Sequence, residues 1–258
     1  MVTLKRILIL ICCSIICLSL PSCAIRTLSN LRGTMTDSEM KKVAQQVLEE
    51  KYGERFDVTK TENDREYKSC FFAYANPSAH PEMLFSAHIG DDGSTIEDDY
   101  FTRTMGSRVS ESVRKSVGDI GGEYYIFTSC LSMGGMGESD ITMDPSEYAA
   151  KHNAEKFTIS FYYAPYGGVD TALLYSRLTD AIADIPAMNG CLVFHVVDND
   201  MLRNIREYIQ TNHCFSQDAV RDMLKGETRV KMYYSGGRTD LEYEEFSAAL
   251  KDVNTLTK

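Results

Sequence analysis

Residues 191–200 read CLVFHVVDND, and the fold turns on how that stretch is read. A strand with one wet face alternates apolar and polar residues. Here residues 191–197 are apolar throughout except for His195, the pattern of a central strand covered on both faces. Asp198 stands just past the run, where its carboxylate can cap a helix extending to about residue 211. Upstream, Phe157, Ile159, Phe161 and Tyr163 alternate as a half-buried strand, and residues 171–185 have helical spacing between the two. Downstream, Ser216 reads as the cap of a helix stopped by Gly226. A strand over 229–234 and a last helix from Leu241 follow. The pairs Tyr124-Tyr125, Tyr162-Tyr163 and Tyr233-Tyr234 put one ring on each strand face, which favours aromatic packing within a sheet over an exposed aromatic surface.

The first half is organised differently. Thr36-Asp37-Ser38-Glu39 has the form of a capping box, and Met40, Val43, Ala44, Val47 and Leu48 follow at helical spacing up to Gly53. Three strands are expected next, one at Phe56 and Val58, one over 66–75, and one through Met83, Phe85, Ala87 and Ile89. Asp98 and Asp99 read as a helix start, with Arg114 and Lys115 in its last turn and Gly118 as its stop. A strand over 124–131, the loop LSMGGMGESD and a short helix after Pro145 complete the pattern. The expected fold class is α+β, a mixed or antiparallel sheet with helices packed on it, as two subdomains or one continuous domain. The expected units are 36–120 and 121–258, with a boundary near Gly121-Gly122.

Lys5 and Arg6 precede an uncharged apolar run over 7–20. At about 1.5 Å per helical residue it spans roughly 21 Å, short of the roughly 30 Å hydrocarbon core. Residues 1–22 therefore read as a secretory signal peptide, with a retained anchor as the alternative. The run ends in Leu20-Pro21-Ser22-Cys23, which resembles the lipobox of bacterial lipoproteins, although Pro21 departs from the usual small residue. That resemblance implies a lipid-carrying Cys23 at the mature N-terminus, a tether over 23–35 and a place on the extracytoplasmic face of the membrane. EEKYGERFDV and the later DDYF, within residues 40–105, resemble a group of uncharacterised lipoproteins from Gram-positive bacteria. This second resemblance implies a surface location and no chemistry.

The chain carries a formal charge of −10 over 258 residues. Cleavage before Cys23 removes Lys5 and Arg6 and no acid, leaving −12. Such a body is repelled by phosphate backbones, so nucleic acid is not an expected partner. Four of the eight cysteines, Cys70, Cys130, Cys191 and Cys214, lie in the body without metal-like spacing. They read as small buried hydrophobes, or as disulfides in any of three pairings.

Two constellations could carry chemistry. In the first, His195 sits at the carboxyl end of the apolar strand, with Asp198 and Asp200 just beyond it. Ligand crevices form at such strand ends, yet a buried imidazole satisfied by neighbours is the leading reading of His195. In the second, His88 lies on a strand ahead of Asp91, Asp92, Glu97, Asp98 and Asp99. These carboxylates could gather a structural calcium, or serve only as turn and cap residues, because the EF-hand order is absent. The glycine-rich loop lacks a P-loop's ending, and no Gly-x-Ser-x-Gly or His-Glu-x-x-His occurs. No cofactor is expected. The expected function is a membrane-anchored lipoprotein that binds a protein, peptide or envelope component without catalysis. The alternative is an extracytoplasmic hydrolase or metal-dependent enzyme using a His/Asp cluster.

Overall fold

The computed structural model describes residues 35–67, 69–131, 138–152, 156–185, 188–211, 217–224 and 229–251. The signal peptide, Cys23 and the tether up to residue 34 lie outside the described residues, as do Cys214, Ser216, Gly226 and the centre of the glycine-rich loop. The described residues form two compact units, one of those up to 79 together with 87–97 and one of 80–86 together with those from 98 on.

In the first unit, helix α1 (Asp37–Tyr52) begins at the capping box. The Glu39 N–H donates to Thr36 Oγ1 at 3.3 Å and the Thr36 N–H donates to Glu39 Oε2 at 2.9 Å, so two otherwise unpaired amides are satisfied. Gly53 ends the helix at φ 72°, a left-handed conformation that disfavours a side chain. The buried face of Met40, Val43, Ala44, Leu48 and Tyr52 packs on strand β1 (Phe56–Asn63) and on β2 (Cys70–Pro77). With β3 (Phe85–Gly90) and β4 (Thr95–Asp98) these make a four-stranded sheet in sequence order. A bulge between Val58 and Lys60 shifts the alternation, so Thr61 turns inward and donates to Asp37 Oδ1 at 2.5 Å. The fourth strand occupies the acidic stretch that reads as a helix start in the sequence; the helix begins only after Asp99.

The second unit is built on a five-stranded sheet of β5 (Gly122–Leu131), β6 (Lys156–Pro165), β7 (Asn189–Val196), β8 (Arg229–Ser235) and β9 (Arg238–Thr239), again in sequence order. Strands β6 and β7 are parallel, joined across helix α4 (Thr171–Ala183), and the other pairs are antiparallel. The fold is α+β. β7 is the central strand that its unbroken apolar run predicts. On one face Phe157, Ile159, Phe161, Leu192 and Phe194 pack with residues of α2 (Tyr100–Val117), α3 (Pro145–His152), α4 and α7 (Tyr243–Leu250). On the other, Tyr162, Ala164 and Val197 pack under α5 (Asn199–Thr211) and α6 (Gln217–Met223). Gly236 and Gly237, at φ 59° and 74°, make the β8–β9 hairpin, a two-residue turn that needs both left-handed conformations. Strand β9 is too short to show in the sequence pattern. Of the paired tyrosines, Tyr162, Tyr163 and Tyr234 are buried, whereas Tyr233 is 54% exposed.

The chain crosses between the units at 79–80, 86–87 and 97–98, not near Gly121-Gly122, and α2 packs on β5 within the second unit. That seat depends on Gly106, where an added Cβ would stand 2.2 Å from the Thr128 carbonyl oxygen. Beside it, Ser110 Oγ donates to Thr128 Oγ1 at 2.8 Å within the core. β5 is an edge strand whose pairing follows from the Tyr166 N–H donating to Gly121 O at 3.1 Å. Odd-numbered residues of β5 therefore exchange hydrogen bonds with β6, and even-numbered ones turn their N–H and C=O away from it.

A Gly106→Ala variant gains about 1 kcal/mol of helix propensity yet is expected to lose about 1–3 kcal/mol to overpacking against a backbone oxygen that cannot swing aside. Urea unfolding should show a net loss of stability; unchanged or raised stability would mean that α2 is not seated through this contact.

Candidate functional site

His195 lies in β7 opposite Tyr162 of β6 and Arg229 of β8, with Tyr125 of β5 opposite Tyr162 in turn. These four residues form a row across the sheet on the side of α5. His195 is 7% exposed, and its ring stacks on Tyr162 with centroids 5.2 Å apart and planes 16° from parallel. Burial, and secondarily the Arg229 cation, lower its pKa to about 4, so the imidazole is neutral at pH 7. Burial also pushes the Tyr162 phenol up to about 12 and raises that of Tyr125, over whose ring the Arg206 guanidinium sits at 5.6 Å.

Asp198 and Asp200 do not join this row. Both are exposed. Asp198 accepts the Met201 N–H at 2.7 Å and caps α5, as its position in the sequence predicts, while Asp200 pairs with Arg203 one turn along the same helix.

His88 is held in the first unit. Its ring stacks on Phe72 at 4.5 Å, and Nε2 approaches Asp64 Oδ2 at 2.8 Å. The N–H groups of Glu66 and Tyr67 donate to Asp64, and they lead in holding its carboxyl below the usual range. Asp64 is the partner that sequence reasoning missed, since it lies 24 positions from His88 and looks like an ordinary turn residue. The acidic residues have separate tasks. Asp92 accepts the N–H and hydroxyl of Ser94 at 2.9 and 2.6 Å, forming a turn. Burial, with Asp92 second, raises the pKa of Asp91. Asp98 accepts the Tyr100 N–H at 3.2 Å. Asp99 accepts the Ser86 N–H at 2.7 Å and Arg103 Nε at 2.6 Å, and Glu97 is exposed. Among the described residues, no three His, Cys, Asp or Glu side chains gather as a group able to hold a metal. Cys70, Cys130 and Cys191 are half-buried thiols.

A groove of about 420 Å³ lies within the second unit. One wall is the polar face of α2, where Arg103, Ser107, Ser110, Glu111 and Arg114 recur at helical spacing. The floor is β5 over 125–128, and the remaining walls are residues 80–84 and the end of α5 at Ile209 and Gln210. The charged groups are engaged with one another. Arg114 Nη1 donates to Glu111 Oε2 at 2.9 Å, Arg103 is held by Asp99, and His80 Nδ1 lies 3.4 Å from Glu82 Oε1. The buried hydroxyl of Ser110 is bonded to Thr128, not to a base. Met83, Leu84, Phe127 and Ile209 supply apolar contact surface. This volume and mixture suit a bound ligand, with polar groups fixing its orientation. Sequence reasoning missed the groove, since its floor and three walls are far apart in the chain and none of them stands out in the sequence.

The fold resembles that of a DUF5037 family protein from Ruminococcus gnavus ATCC 29149, with a TM-score of 0.66 at 15% identity, over 81% of this chain and 98% of that one. No protein-family model and no curated protein matches the chain. Among the described residues, no helix is long and apolar enough to cross a membrane.

His195 makes stability depend on pH in a defined direction. The unfolded chain takes up a proton near pH 6.5, whereas the folded one resists until about pH 4. The contribution is therefore complete above pH 6.5 and is lost as pH falls toward 4, about 3 kcal/mol in all. His195→Phe should flatten the dependence in this window when unfolding is compared at pH 7 and pH 4.5. Equal dependence in both proteins would place the titration elsewhere.

Proposed function

We propose that this protein is a lipid-anchored, extracytoplasmic binding protein, held to the membrane through Cys23 and using the groove beside α2 and β5 to take a protein, peptide or envelope component. The binding reading is carried by one observation: the residues best suited to catalysis are engaged in folding. His195 is neutral and buried under α5, Asp198 caps that helix, and Asp200 is ion-paired on its surface. The groove in turn offers apolar surface flanked by paired charges, which suits recognition.

The anchoring reading rests on the charged step, the short apolar run and Leu20-Pro21-Ser22-Cys23. One acyl chain holds only marginally at about 0.8 kcal/mol per buried methylene, whereas two hold stably, which is what a lipidated mature terminus would provide. The tether over 23–35 would then hold the folded units away from the bilayer.

Mass spectrometry of the mature N-terminus from the membrane fraction tests the anchor. The expected result is a lipid-modified Cys23, with Cys23→Ala released from the membrane or left unprocessed. An intact Met1 in the wild type would make the apolar run a retained anchor. An unmodified terminus downstream would make the protein secreted, and either result would overturn lipidation.

A further inference from the structure

We propose that the ligand of this groove is an extended peptide segment, recognised through its backbone by Ile126 at the edge of β5 that no strand pairs. The pairing register turns the N–H and C=O of Ile126 away from β6, toward the groove that Ile126 lines. Ile126 is 3% exposed, so both groups are largely withdrawn from water. Among the described residues, none hydrogen-bonds to either group. A buried backbone donor and acceptor left unpaired is costly, and native structures pair nearly all of them. One residue of an extended chain offers a C=O and an N–H at the spacing that such a pair requires, the geometry of strand addition at a sheet edge.

The surroundings define how far such a strand can run. Four consecutive residues, Tyr125 to Thr128, line the groove, although their side chains point alternately to opposite faces. A ligand reaching all four must lie along the strand's edge, not on one face. The next outward-turned residue, Thr128, is closed off because its carbonyl oxygen meets Gly106 of α2. On that side the added segment therefore stops at the residue paired to Ile126, with its neighbours resting against Met83, Leu84 and Ile209. Alternating small β-formers fit this setting, with the apolar side chains turned toward Leu84 and Ile209.

The inference rests on the binding reading above but is independent of the anchor. It is tested with the full chain in detergent micelles, following amide hydrogen exchange at single-residue resolution. The probe is the capped pentapeptide acetyl-Thr-Val-Thr-Val-Thr-amide at millimolar concentration. Exchange at Ile126 should slow by about tenfold. The same peptide methylated on its central backbone nitrogen should have no effect, since that removes the donor and leaves the side chains unchanged. Leu84→Lys, a half-exposed position, should abolish protection while leaving circular dichroism intact. No protection by the probe, or equal protection by both peptides, would overturn strand pairing. Changes confined to groove side chains would assign the site to a ligand read by side chains and also overturn it. Protection that persists in Cys23→Ala would sustain the inference even if lipidation failed.

Discussion

The second unit depends on a backbone approach with no room for a side chain, that of α2 to β5 at Gly106 and Thr128. Helix faces usually meet a sheet through side chains. Here the missing Cβ lets the helix settle on the strand itself, and neighbouring bonds fix its position. Ser110 reaches Thr128, the Arg108 guanidinium donates to the Met143 carbonyl at 2.7 Å, and Tyr124 donates to Gly118 O at 2.9 Å. With its apolar stripe of Phe101, Met105, Val109, Val113 and Val117 buried, the helix can turn only its polar side outward. That side becomes the groove wall, so the groove is a by-product of how the core is closed.

Beneath α5 the sheet carries a row of aromatic and titratable groups from Tyr125 through Tyr162 to His195 and Arg229. Burial favours the neutral forms of Tyr125, Tyr162 and His195, because a charge on any of them would lose its hydration. The row therefore serves as packing. The stacked His195 imidazole fills the role of another aromatic ring and is protected from protonation at neutral pH. The same logic separates His88, whose neighbour Asp64 is held ionised by two backbone amides.

Where the chain's local pattern and its tertiary setting agree, the fold was legible in the sequence. Residues 191–197 announced a strand covered on both sides, and Thr36 with Glu39 announced the start of α1, because each signal is complete within a few residues. Thr95–Asp98 was not legible as a strand, since its acids serve equally well as turn and cap residues and its pairing partner is β3. β9 has only two residues, although Gly236-Gly237 marked the turn that creates it. Of the candidate sites, the capping role of Asp198 and the burial of His195 were legible. The groove was not, because it depends on a Gly106 that looks like a mere weakness in a helix and on a register that only pairing with β6 establishes.

The two edges of the five-stranded sheet end differently, and β9 pairs with β8 only at Tyr234 and Ser235. At one end α2 lies along β5 and leaves only the stretch around Ile126 accessible. At the other, the sheet stops at β9, two residues long and bearing Arg238. Long bare strand edges invite copies of a protein to join sheet to sheet. At the β5 edge the short open window is too narrow for a neighbouring copy to extend the sheet.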